Sequence, residues 1–301
     1  MIVALTGCAT TQDTLAPTPP TPRAFRVEVT GSGPPVILIP GLASSGEAWA
    51  QVVTHLRARH TCHVITLAGF GGVPPTSEPL LSAVKAELAA YVTSRRLEQP
   101  VIVGHSLGGT IALDFAAEHP RLAGPLVIVD ALPFFAGIIP NITTLEDARP
   151  IVEGMRGALS AQTQTEYEAG VRAGTQTKAM VTRSSDHELL VRWGLTSDRR
   201  TVNATLVDLF ATDLRDKLAR VGAPTLVIGT WVGWQEAGGD RTGVVQRFRD
   251  QYAELRRLHF AMSDTARHFV MLDDLPWFLA QLDGFLANPD EAVRDRGFPP
   301  G

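Results

Sequence analysis

The chain has 301 residues, 45% of them apolar and 19% charged, a balance that supplies one large core or two modest ones and excludes a disordered chain. Lys plus Arg number 27 against 31 Asp plus Glu, so the net charge is −4 and the basic footprint of a nucleic-acid binder is missing. Two cysteines, Cys8 and Cys62, cannot build a disulfide framework, and no apolar run reaches the roughly 18 residues that a bilayer span requires.

The chain opens Met1-Ile2-Val3-Ala4-Leu5-Thr6-Gly7-Cys8 and then turns polar and Pro/Thr-rich as far as Pro22. Leu5-Thr6-Gly7-Cys8 resembles the lipobox of bacterial lipoproteins. That resemblance implies a lipid anchor at Cys8 and a periplasmic or membrane-anchored location; without lipidation the implied location is cytoplasmic. The apolar stretch before Cys8 is short for a signal peptide and no positive n-region precedes it, so an accidental match stands beside the anchor. Residues 1–22 can bury little and read as a tether.

Arg23 to Thr30 alternates, with Phe25, Val27 and Val29 on one face, and predicts a strand. Gly31 to Pro35 is a turn cluster. Val36 to Ile39 is wholly apolar, as a parallel strand buried on both faces must be. Trp49 to Arg59 predicts a helix and His63 to Leu67 a strand. Gly69-Phe70-Gly71-Gly72 is a loop: it lacks the Lys-Ser/Thr of a phosphate loop and the spacing of a dinucleotide fingerprint. Leu81, Val84, Leu88 and Val92 share one helical face. Val101 to Val103 predicts a strand, Thr110 to Glu118 a helix stopped by Pro120, and Leu126 to Val129 a further strand. From Pro133 to about Ala219 no strand-like run occurs, and helical spacings such as Leu189-Leu190-Trp193 and Leu206-Val207-Phe210 take over. Thr225 to Ile228 is a strand, Gly243 to Arg256 a helix, Arg257 to Met262 the last strand, and Phe278, Leu282 and Phe285 mark a final helix. Strands alternating with helices define an α/β fold with a largely parallel sheet. The expected organisation is a tether (1–22), a core (23–132 and 220–301) and a helical lid or cap (133–219).

Gly104-His105-Ser106-Leu107-Gly108-Gly109 lies between a predicted strand and a predicted helix, the context a nucleophile elbow requires. A tight turn there needs Gly104 and Gly108 where a Cβ would clash. It holds the Ser106 hydroxyl at a helix N-terminus, where negative charge is favoured.

On these residues the chain, from about Arg23 to Leu286, resembles the α/β-hydrolases, with a helical lid. A serine at the elbow implies acyl chemistry; relatives with epoxide hydrolase or dehalogenase activity carry Asp there. The resemblance implies a chain order of nucleophile, acid, histidine. His268, in Asp264-Thr265-Ala266-Arg267-His268-Phe269 beyond the last strand, stands where the family places its base. His55, His60 and His63 precede the elbow, His119 ends its helix, His187 lies in the insertion, His259 lies in the last strand, and His105 is expected only to pack beside the elbow.

The acid departs from the commonest pattern. After Ile228 the chain reads Gly229-Thr230-Trp231-Val232-Gly233-Trp234-Gln235, with no carboxylate. Some members of the fold place the acid at the preceding strand end, where this chain has Asp130; Asp240, Glu236 and Asp264 remain alternatives. By the same resemblance the oxyanion donors are the backbone N–H groups of Leu42, in Pro40-Gly41-Leu42-Ala43-Ser44-Ser45, and of Leu107. Phe134, Phe135, Trp193 and Trp231 are candidates to wall an apolar acyl pocket or to pack lid against core. No metal-ligand spacing occurs and no cofactor is implied. The expected activity is a serine carboxylesterase acting on a small-molecule ester of short to medium acyl chain. An amidase, lactonase or cofactor-free perhydrolase on the same triad, or a non-catalytic binding protein, are the alternatives.

Overall fold

The computed structural model describes residues 23–76 and 79–291. The tether and Cys8 lie outside the described residues. Seven strands, β1 (Phe25–Gly31), β2 (Pro35–Ile39), β3 (Thr61–Leu67), β4 (Val101–His105), β5 (Leu126–Val129), β6 (Thr225–Thr230) and β7 (Leu258–Ser263), form one sheet in the order β1-β3-β2-β4-β5-β6-β7. Only β1 runs antiparallel, paired with β3 at the edge; every other pairing is parallel. This is the α/β-hydrolase fold.

Parallel strands need crossovers, and helices supply them on both faces. Alternation along β2 sorts its residues: Ile37 and Ile39 join the core on one face, Val36 and Leu38 the core on the other. The first face is covered by α2 (Leu80–Ser94), α3 (Leu107–Glu118) and α9 (Arg241–Gln251), through Val84, Leu88, Phe115 and Phe248. The second is covered by α1 (Ala50–Leu56), α10 (Val270–Asp273) and α11 (Leu275–Ala287), through Leu56, Val270, Phe278 and Leu282. Because both faces are dry, β2, β4 and β5 carry no exposed residue, and they read as apolar runs as far as Ile39, Val103 and Val129.

Between β5 and β6 the chain is helical: α4 (Leu145–Ala161), α5 (Gln164–Ala173), α6 (Thr175–Met180), α7 (Ser184–Leu195) and α8 (Arg199–Phe210). Thr144 and Thr163 each form a capping box, with Asp147 and Glu166, which starts α4 and α5. Among the described residues no helix is long and apolar enough to cross a membrane.

Expected elements differ from observed ones mainly at their ends. The predicted helix at Trp49–Arg59 is a 3-10 turn over Gly46–Trp49 followed by α1. The strand at Arg23 loses its apolar face early, because on an edge strand Val29 points to solvent, 53% exposed. Helix α3 begins at Leu107, directly after the elbow, rather than at Thr110.

Candidate active site

The C-terminal ends of the parallel strands converge, as they do where open α/β sheets bind ligands. There β2 leads into the Gly41 loop, β4 into Ser106, β5 into Asp130, and β7 into the loop bearing His268.

Ser106 adopts φ 52°, ψ −119° between β4 and α3, a strained conformation for a residue with a Cβ. The turn is possible only with its glycines. A Cβ on Gly104 would stand 2.3 Å from the Gly108 carbonyl oxygen, and one on Gly108 2.2 Å from that of Ile39. The Ser106 N–H donates to the Val129 carbonyl at 2.9 Å, extending the β4–β5 ladder one residue into the turn. The hydroxyl itself has no hydrogen-bond partner within 3.5 Å among the described residues.

Asp130 also holds a positive φ, 45°, and its N–H donates to the Ile228 carbonyl at 2.7 Å. Its side chain is 10% exposed and accepts three hydrogen bonds. The Thr230 N–H reaches Oδ1 at 3.0 Å, the Thr230 hydroxyl reaches Oδ2 at 2.8 Å, and His268 Nδ1 reaches Oδ2 at 2.6 Å. A carboxylate only accepts, so Nδ1 carries the proton and Nε2 of His268 is left as the basic nitrogen. Beneath Asp130, the buried Tyr252 hydroxyl donates to the Ala131 carbonyl at 2.8 Å. The Gln251 side chain takes the Phe134 N–H and donates to the Phe134 carbonyl, both at 2.9 Å. The chain leaving Asp130 is thereby fixed by the end of α9.

The three rival carboxylates are engaged elsewhere. Asp240 caps α9 through the Gly243 N–H at 2.8 Å. Glu236 pairs with Arg267 at 2.8 Å. Asp264 accepts from Arg241 Nε at 2.7 Å and Trp231 Nε1 at 2.8 Å, and the Arg241 bond holds its carboxyl below the usual range.

Gly41 lies over Ser106: a Cβ there would meet His105 Nδ1 at 3.0 Å and Ser106 Cβ at 3.2 Å. Leu107 is the first residue of α3, so its N–H has no intrahelical acceptor. Neither it nor the Leu42 N–H donates to an acceptor among the described residues.

His105 does more than pack. It is fully buried and its Nε2 donates to the His268 carbonyl at 3.0 Å, with the two rings 4.5 Å apart. Burial pushes its pKa well below 6.5, and the His268 charge acts the same way. Three of the other histidines are engaged locally: His55 pairs with Asp283 and His63 bonds the Tyr91 hydroxyl, while His187 bonds Thr177.

The aromatic candidates divide. Phe134 is 0% exposed, under the Arg215 guanidinium and in a small satellite core with Ala148, Val152 and Val207. Trp193 is 2% exposed, packed near Phe269, with Nε1 donating to Glu47 at 3.0 Å. Of the two readings, pocket wall or packing of lid against core, the burial of both rings favours packing. Phe135, edge-on to Phe210 at 4.9 Å, and Trp231 are half-buried, both packed against the core on the first sheet face. Sequence reasoning missed Thr230. The signal was a hydroxyl at the end of β6, beside the strand end that carries Asp130.

An α/β sheet with a serine elbow at the end of a central strand, and an Asp–His pair at the ends of later ones, defines a class of hydrolase architecture. A profile of the Alpha/beta hydrolase family matches residues 36–281, and the chain belongs to that family. It is 29% identical over 209 residues, 65% of its length, to a pimeloyl-[acyl-carrier protein] methyl ester esterase of Vibrio parahaemolyticus, of which it covers 74%. Six further curated relatives share 34% identity over shorter stretches, and the chain spans only 32% to 47% of their length. Among solved structures, an esterase from Exiguobacterium antarcticum superposes with a TM-score of 0.70 at 16% identity, covering 88% of this chain and 96% of that one. The enol-lactonase from Burkholderia xenovorans gives 0.68 at 15% identity, covering 88% and 96%. At these identities the structures establish the fold alone.

Proposed function

We propose that the protein is a serine ester hydrolase, with Ser106 as nucleophile, His268 as general base and Asp130 as the acid that orients it. The observation that carries this reading is the 2.6 Å bond from His268 Nδ1 to Asp130, which directs the basic Nε2 away from the carboxylate. The strained Ser106 turn and its unpartnered hydroxyl support the same assignment.

In this reading His268 Nε2 takes the Ser106 proton as Oγ attacks the ester carbonyl. The tetrahedral oxyanion is held by the N–H groups of Leu42 and Leu107. His268 returns the proton to the departing alcohol, and Asp130 stabilises the transient imidazolium without taking its proton. Water, activated by the same nitrogen, then releases the acid and restores Ser106. The chemistry asks for no cofactor. The ester is favoured as the bond cleaved because the relative matched over most of its length is named a methyl ester esterase. A short to medium acyl chain is the proposed substrate, with Phe135 and Trp231 facing it, and the helical insertion is proposed as a cap over the site. The test is hydrolysis of p-nitrophenyl esters of graded acyl length by wild type and Ser106→Ala. Turnover that falls with chain length and vanishes in the variant is expected; turnover that survives in the variant overturns the reading.

A further inference from the structure

The loop bearing His268 is gripped from two sides, and one of them is the helical insertion. The Phe269 N–H donates to the Met180 carbonyl at 3.2 Å, at the end of α6. Arg267 Nη1 donates to the Lys178 carbonyl at 2.9 Å, and Arg183 Nη2 to the Leu272 carbonyl at 2.8 Å. Asp273 joins the two parts directly. Its Oδ2 accepts the Arg267 N–H at 2.9 Å, one residue before the histidine. Its Oδ1 accepts both the N–H and the hydroxyl of Thr182, each at 2.8 Å. The core holds the loop as well, through His105 Nε2 to the His268 carbonyl, His268 Nδ1 to Asp130 and Arg267 Nη2 to Glu236.

From this arrangement we infer that Asp273 is a positioning residue: it ties the segment between α6 and α7 to the His268 loop, so that the seating of the insertion sets the alignment of the ring. The inference rests on His268 being the base. The Ala266–Arg267 peptide, one before the histidine's own, is restrained through Asp273, and the His268–Phe269 peptide by Met180 of the insertion. If the segment around Thr182 shifts, both restraints shift together and the imidazole moves relative to Ser106. A displacement near 1 Å is enough to cost about 10²-fold in rate. Asp273 touches no reacting atom, so it acts on the reaction only through the loop it holds.

The experiment compares wild type, Asp273→Ala, Thr182→Val and the double variant. The readouts are ester kinetics across pH and the rate of fluorophosphonate labelling at Ser106. Asp273→Ala is expected to lower kcat about tenfold or more with KM within about twofold of wild type, and to slow labelling by the same factor. The limbs of the pH profile stay in place while its height falls. Thr182→Val, whose hydroxyl bonds Asp273 alone, gives a smaller loss, and the double variant is no worse than Asp273→Ala because the threonine acts through the carboxylate. Unchanged kcat and labelling in folded Asp273→Ala overturn the inference. Should that variant not fold, Thr182→Val decides on the same readouts. Wild type that labels at Ser106 while the variants match it defeats this inference alone. Wild type that does not label at Ser106 defeats the proposed function, and this inference with it.

Discussion

Asp130 and His268 lie 138 residues apart in the chain and meet at 2.6 Å, carboxylate to Nδ1. The fold places Asp130 at the end of β5 and His268 in the loop after β7, two strands away in the same sheet. If this pair serves catalysis, Asp130→Asn keeps the shape but presents an amide that disturbs the tautomer. Ester turnover is expected to fall about 10²- to 10⁴-fold. Asp240→Asn, which alters only the cap of α9, leaves kcat unchanged, and near-equal kcat values in steady-state assays of the two variants contradict the assignment.

Thr230 holds both oxygens of Asp130 and is 2% exposed. Thr230→Val preserves its volume and main-chain bond but removes the hydroxyl donor. The carboxylate then loses one of its three donors and is free to rotate. A loss of kcat of about three- to thirtyfold is expected, with fold and KM retained, measured on the same esters.

The glycines separate strain from spare room. Gly108→Ala drives a Cβ into the Ile39 carbonyl, backbone that cannot yield, and is expected to cost about 3 kcal/mol or more. Gly154→Ala, inside α4 with nothing within 4 Å, is expected to stabilise by about 0.5–1 kcal/mol. Denaturant titration of the two variants checks the opposite signs.

His105 makes stability depend on pH. Burial holds its pKa well below 6.5 in the fold, and burial lowers His60 and His63 as well. In the unfolded chain each takes up a proton near pH 6.5, so there the unfolded state binds more protons and stability drops as pH falls through that value. The thermal midpoint is expected to decline below about pH 6.5, and His105→Gln, which cannot titrate, to lose part of that decline. Scanning fluorimetry across this range reads it directly; a wild-type midpoint flat with pH contradicts it.

Much of the sheet is legible in the sequence because two-sided burial leaves β2 and β5 no polar position and β4 only His105, at its end. The elbow is legible because Gly104 and Gly108 answer a steric demand local to one turn. The carboxylate that meets His268 is legible only as a choice among several: pairing Asp130 with His268 depends on strand order, which no local pattern encodes. Thr230 and Asp273 escape notice for the same reason, as each acts across the sheet or across the insertion boundary. Phe134 and Trp193 stay open between two readings because an aromatic side chain serves a pocket wall and a buried seam equally well. Which one it becomes is set by helix packing far along the chain.

The most direct measurement is fluorophosphonate labelling of the folded protein, with the adduct mapped by peptide mass spectrometry. The probe requires an activated serine and an oxyanion site but not the natural substrate. The account predicts a single adduct, on Ser106, with labelling strongly slowed in His268→Ala. No adduct on folded protein, or one on another serine, contradicts it.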